Sequence, residues 1–330
     1  MALQGTGTEL DPYLITNLAE LRTEVTNAAA YYKVTQNLDV RGTQYEAEWL
    51  EPTLACLQLD FDNKELKNVT TAPNNHLFRF NCTTVTIKNL KLVNHVNNKA
   101  LFAHSTTNYD ALTSLTILNS SFSVKWYANI RDHDGHDAKG IIGTKYASID
   151  NCNFNLELRG TTLNILHSKH NVNRCHFALT GNIELKQNGD SAKRMYCLLN
   201  LELICTKIYL TGNLSVTCSG APLPFYVILN TYNSDYWEYD DRAYYAQCYC
   251  AITFNITVPS GTNHVFDFWQ YQTHDQAPPS SFMCVGDMIV NGGILTSLPS
   301  AKARVYLLTR EQARDADYLS GIGFDVSEVV

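Results

Sequence analysis

Apolar and polar residues alternate in short bursts along most of this chain, and the bursts resemble one another. "VTIKNLKLVN" (85–94), "LTILNSSFSV" (115–124), "ASIDNCNFNL" (147–156) and "HNVNRCHFAL" (170–179) each place an apolar run before a polar step centred on Asn. A second apolar run follows. Alternation with period two predicts half-buried strands, and the Asn-rich step predicts a bend between them. Weaker copies follow at "LELICTKIYLTG" (201–212), "CAITFNITV" (250–258) and "GDMIVNGGIL" (286–295).

The spacing of these bursts decides the architecture. Ile87, Ile117, Ile149 and Val172 are separated by 30, 32 and 23 residues. Helical repeat arrays keep a fixed period, whereas a coiled parallel sheet only has to return each strand over the previous one. The variable step therefore predicts a parallel β-helix, with Ile87, Ile117 and Ile149 pointing inward. Asn suits its corners because it tolerates the left-handed backbone region and can hydrogen-bond its neighbours. Stacked Asn side chains can also bond along the axis, as in cross-β ladders. The alternative is a β-sandwich with Asn-rich hairpins, but Asn-Gly turns are confined to Asn188-Gly189 and Asn291-Gly292.

Helical periodicity marks two places. Leu18, Leu21 and Val25 predict an amphipathic helix over 17–27. Near the end, Thr309 as N-cap, Glu311 in the first turn and Gly321 as C-cap predict a second over 309–324. The fold class is accordingly all-β: a single-stranded parallel β-helix, right-handed by the resemblance that the opening segment carries below, with short N- and C-terminal capping helices. Its expected parts are a cap with the first strand (1–45), coils with inserted loops (46–300) and a C-terminal cap segment (301–330).

Composition narrows the function classes. The net charge is −7 and charged residues make up 17% of the chain, so there is no basic stripe to neutralise phosphates and no nucleic-acid partner is expected. No apolar run reaches membrane-spanning length, so no membrane insertion is expected. The beginning lacks the basic and apolar regions of an export signal. Ten Cys lie mostly inside apolar runs and none forms a C-x₂-C pair, which predicts buried reduced thiols and no zinc knuckle.

"GTGTELDPYLITNLAELR" (5–22), followed by "YYKVTQNLDVRG" (31–42), resembles the opening of a large group of right-handed β-helix proteins. The matching positions are Gly5, Gly7, Thr8, Asp11, Pro12, Tyr13, Ile15 and Leu21, then Tyr31, Tyr32, Leu38, Asp39 and Val40. "LQLDFDNKELKNV" and "VTIKNLKLVN" look like that group's first rungs, and "LTREQARDADYLSGIGFDV" (307–325) is similar to the closing segment of phage- and prophage-encoded members. The resemblance implies a tail, spike or head-fibre protein of a virion, without a cofactor and without enzymatic activity. It also implies other virion proteins as partners, and a homo-oligomer, commonly a trimer. Physically, the opening segment is expected to close the end of the first coil. Gly5 and Gly7 would allow tight turns, Asp11 would accept backbone hydrogen bonds and Pro12 would set φ before the strand.

Three stretches bear candidate chemistry. "NTYNSDYWEYDDRAYY" (230–245) offers Tyr232, Tyr236, Trp237, Tyr239, Tyr244 and Tyr245 as a surface for a host glycan or another subunit. "RDHDGHD" (131–137) offers His133, His136 and Asp134 as metal ligands, but its spacing fits no established template, and a solvated bend is the simpler expectation. Asp132, Asp134, Asp137, Glu157, Glu184 and Asp190 supply carboxylates for a polysaccharide-degrading alternative, which needs two of them at a defined separation across a groove. A surface adhesin, the third reading, would need an export or sorting signal.

Overall fold

The computed structural model describes residues 3–72, 75–97, 100–104, 114–128, 141–143, 146–160, 166–186, 196–201, 208–219, 225–231, 247–250, 255–256, 267–271, 281–285, 289–290, 293–294, 304–309, 311–312 and 315–322. Its strands wind as a parallel β-helix. One ten-stranded sheet runs from Tyr13–Ile15 through Tyr31–Val34, Gln58–Asp60, Thr84–Lys88, Ser114–Leu118, Tyr146–Asp150 and Leu166–Asn173 to Asp267–Tyr271. A second ten-stranded sheet begins at Leu38–Asp39 and passes through Glu65–Lys67, Lys91–Asn97, Ser121–Ala128, Asn153–Gly160 and Cys175–Lys186 to Arg304–Leu308. A third, shorter face stacks Thr53–Leu54, Phe78–Phe80, Phe102–His104 and Ile142–Gly143. The chain visits the sheets in turn, so each coil's strands pair with those of the coil before. Ten strands at about 4.8 Å separation give a rod about 43 Å long.

The predicted inward column is present. Tyr32, Leu59, Ile87, Ile117, Ile149 and Val172 are successive Cα partners across the first sheet. All six are buried. In the second sheet, Leu38, Leu66, Leu92, Phe122, Phe154 and Phe177 form the facing column. Its rings stack with centroids 4.6 Å apart for Phe122–Phe154 and 4.7 Å for Phe154–Phe177. Offset stacking at that distance adds to the area these rings bury.

The corners between the first two sheets are left-handed. Asn89, Asn119 and Asn151 have φ of 57°, 50° and 53°. Their side chains form the expected ladder in part: Asn89 Nδ2 donates to Asp60 Oδ1 and Asn151 Nδ2 to Asn119 Oδ1, both at 2.8 Å. A second ladder joins Asp39, Asn68 and Asn94. The last described corner of the first kind departs from the pattern. Arg174, not the neighbouring Asn173, takes the left-handed position (φ 50°), and its guanidinium holds Asp150 in two bonds of 3.1 and 2.8 Å. A bidentate bond to the coil below offsets the strain that Asn would have avoided.

The opening segment closes the first coil. Gly5 and Gly7 have φ of +97° and +76°, and a Cβ on either would lie 2.1 Å from the Pro12 carbonyl oxygen or 2.4 Å from the Tyr13 ring. The acceptor at the turn is the main-chain carbonyl of Asp11, which takes the amides of Thr6 and Gly7 at 3.0 and 2.9 Å. Asp11 thus accepts backbone hydrogen bonds as expected, through its main-chain carbonyl. The first helix is α1, Leu18–Thr23, capped by Asn17 Oδ1 on the Glu20 amide. It is shorter than the predicted 17–27 because Val25 and Thr26 already rejoin the sheets, Thr26 bridging Ala55. Leu18, Leu21 and Val25 are all buried. Arg22 lies over the rings of Tyr45 and Trp49, 4.4 and 4.6 Å from their centroids, and pins the helix to the first coil.

At the other end, the predicted start is corrected. Thr309 and Gln312 do cap one another, with Thr309 N to Gln312 Oε1 at 2.9 Å and Gln312 N to Thr309 Oγ1 at 3.2 Å. The helix itself, α2, spans Ala316–Gly321 with Asp315 as N-cap. Two caps six residues apart compete, and the carboxylate of Asp315, which accepts from both Asp317 and Tyr318, starts the regular helix. Gly321 is the last helical residue, and Ile322 is the C-cap.

Replacing Ile117 by Asp is expected to cost at least about 4 kcal/mol and to abolish soluble expression, because the column leaves no partner for a carboxylate. Ile117→Val should lower stability by only about 1 kcal/mol in urea unfolding. At the corner, Asn119→Ala is expected to cost about 1 kcal/mol more than Asn119→Gly, since only glycine accepts the left-handed backbone freely. Equal urea midpoints for the two variants would remove the corner strain from this account.

Candidate functional site

The outer face of the second sheet carries a shallow trough. Strand alternation sends Phe122, Val124 and Trp126 inward, so Ser123 and Lys125 face out; the next coil does the same with Asn155 and Glu157. Register sets Ser123 against Asn155, Lys125 against Glu157 and Glu157 against Thr180. Together with Asn94, these side chains line the trough. The bulge in the pairing of Lys91–Asn97 with Ser121–Ala128 turns Asn94 (φ 52°) outward at its upper end.

Glu157 is the acid among the lining residues. It is held by two cations, Lys125 Nζ at 3.6 Å and Arg159 Nη2 at 2.7 Å. A carboxylate held in this way offers its oxygens as hydrogen-bond acceptors to hydroxyls or amides. Among the described residues that line the trough it is the one carboxylate, whereas glycoside cleavage requires two at a defined separation. Of the other candidate carboxylates, Asp132, Asp134, Asp137 and Asp190 lie outside the described residues, as does the side chain of Glu184. So do His133 and His136, and the aromatic set Tyr232, Tyr236, Trp237, Tyr239, Tyr244 and Tyr245. Among the described residues, no group of three or more His, Cys, Asp or Glu is placed to hold a metal ion.

The sequence reading included Glu157 but missed the trough. Asn94, Ser123, Lys125, Asn155 and Thr180 are ordinary outward polar residues in one dimension. They become a site only when the register sets coil beside coil.

Inside the same strands lies a titratable group with no counterpart in the sequence reading. His95 is fully buried, and its Nδ1 bonds the Val69 carbonyl at 2.8 Å. Its Nε2 has no hydrogen-bond partner, and neither does the buried Trp126 Nε1. Burial, opposed by the Val69 bond, pushes His95 down from its ordinary 6.5 to about 4. The ring is therefore a neutral donor to Val69, packed in the column that continues through Val124 and Leu156.

The geometry defines the chain as a parallel β-helix with a polar outer trough and an apolar interior. No protein-family model and no curated protein matches it. Among solved structures, a Bacteroides ovatus protein described as a "putative immunoglobulin A1 protease" aligns with 97% of this chain and 90% of its own, at 12% identity and a TM-score of 0.43.

His95 gives the fold a pH dependence whose sign follows from its neutral buried state. The unfolded chain binds a proton that the folded one excludes, so the contribution is complete above pH 6.5 and is lost as pH falls towards 4. Between pH 7.5 and 5 the loss is about 2 kcal/mol. Urea midpoints at the two pH values should show that loss in the parent chain and not in His95→Gln.

Proposed function

We propose that this chain is a rigid structural rod of a bacteriophage particle, a tail, spike or head-fibre component that carries outward loops at fixed positions and acts without catalysis. The observation that supports it most is the continuous strand-to-strand pairing of the two ten-stranded sheets. A rod held along its axis by strand pairing and by stacked apolar columns resists bending and keeps attached loops at set heights. The sequence supports the setting, through the opening and closing segments that resemble those of phage-encoded β-helix proteins. In this reading the partners are other virion proteins and further copies of the same chain, as a trimer. The aromatic stretch from Tyr232 to Tyr245 meets a neighbouring subunit or a host-surface glycan.

The test is physical association. In phage lysates of the source culture, antibody against the chain should band with intact particles in a caesium chloride gradient, and light scattering of the purified protein should give about three times the mass of a 37.1 kDa chain. Recovery solely as free protein, away from particles, would exclude the virion role; a monomeric mass would exclude the trimer. Changing Tyr236, Trp237 and Tyr239 together to Ala should reduce assembly or adsorption and leave the melting temperature unchanged.

A further inference from the structure

Cysteine makes up ten of 330 residues, yet the winding of the chain repeatedly sets one cysteine on another. At the corner between the first two sheets, Asp150 pairs with Asn173 and Asn153 with His176, so Cys152 and Cys175 hold equivalent positions in adjacent coils. The His176 amide bonds the Cys152 carbonyl at 2.9 Å, which ties the two backbones at that point. Elsewhere the pairing of Leu54 with Phe80 carries Cys56 onto Cys82 two residues later. Near the far end, Cys250 and Cys284 are direct Cα partners. A residue this scarce seldom stacks on itself three times by accident.

We propose that Cys152 and Cys175 are an oxidation site at which the rod takes an interstrand disulfide, joining one coil covalently to the next. Both cysteines are free thiols, and each donates to a main-chain carbonyl at the corner, Cys152 Sγ to Asp150 at 3.3 Å and Cys175 Sγ to Ile149 at 3.5 Å. Adjacent parallel strands are about 4.8 Å apart, inside the range of Cα separations that a disulfide spans. The pair sits at a corner, with both side chains buried beside the exposed Asn151 and Arg174. The disulfide formed is the same whichever of the two sulfurs is oxidised first.

With hydrogen peroxide as oxidant, the Cys152 sulfur attacks one peroxide oxygen. The O–O bond breaks, an S–O bond forms, and the Cys152 proton leaves with the other oxygen as water. The Cys175 sulfur then attacks the Cys152 sulfur. The S–S bond forms, the S–O bond breaks, and the Cys175 proton leaves with the hydroxide as a second water. Two thiols and one peroxide thus give one disulfide and two waters. The bridge closes a single coil into a ring and lies parallel to the hydrogen bonds that hold the coils together.

The full chain, purified reduced, is treated with hydrogen peroxide while folded, then alkylated in denaturant, digested and mapped by mass spectrometry. The expected result is a peptide pair joined through Cys152 and Cys175, with a melting temperature several degrees above that of the reduced protein. Cys152→Ser should lose both. Serine is accommodated at this place, because Ser120 occupies it one coil earlier and bonds the Leu90 amide at 3.1 Å. Cys175→Ser provides the same test should that variant fail to fold, and mapping of the parent chain needs neither. Recovery of both cysteines as alkylated thiols, or joined to other cysteines, would overturn the assignment. So would a Cys152 that ends as a sulfinic acid with Cys175 still free.

Discussion

Strand pairing along the axis is the constraint from which the rest of this structure follows. Each strand's peptide groups are satisfied by the coils on either side, which sets their separation at about 4.8 Å and leaves no freedom to slip. Whatever side chain one coil sends inward must therefore rest on its counterpart in the next. A β-branched or flat side chain meets that demand best, because it presents the same shape above and below. Hence the aliphatic column from Leu59 to Val172 on one wall, and the stacked rings of Phe122, Phe154 and Phe177 on the other.

The same constraint shapes the corners. A sharp bend between sheets must recur at the same height in every coil, so residues with φ near +50° lie over one another at Asn89, Asn119, Asn151 and Arg174. Asparagine serves twice here, once by tolerating the backbone and once by bonding along the axis. Arginine at the fourth place achieves the second in another way, through Asp150. Between corners the chain is free in length, which is why the spacing of 30, 32 and 23 residues leaves the column intact. Only the ends lack a neighbour. At the first end, the turn at Gly5 and Gly7 and helix α1 cover the opening coil with the side chains of Leu18 and Leu21.

This division explains what could be read in the sequence. Inward positions carry their own signature, since Ile87, Ile117 and Ile149 sit in similar local contexts and each announces its corner with an Asn. The buried state of Cys56, Cys82, Cys152 and Cys175 could be read for the same reason. Outward positions carry none: Ser123 and Asn155 are merely polar until pairing makes them neighbours. Arg174 was unreadable because its left-handed backbone depends on a carboxylate one coil away. His95 was unreadable because a bulge, invisible in the alternation, turns Asn94 out and His95 in. The start of α2 was misplaced because Thr309 and Asp315 are both good caps, and nothing local ranks them.

Stacking also bears on where function can reside. An inner column admits chemistry only by neutralising it, as His95 shows: the ring is kept uncharged and one nitrogen is spent on the Val69 carbonyl. An outer face admits polar groups, but in rows of fixed spacing whose charges tend to meet their opposites, as Lys125 and Arg159 meet Glu157. Such a surface therefore presents polar groups in rows at the spacing of the coils. Corners and the chain between sheets escape both limits. What the coils fix is the height at which each corner leaves the stack, as the aligned turns at Asn89, Asn119, Asn151 and Arg174 show.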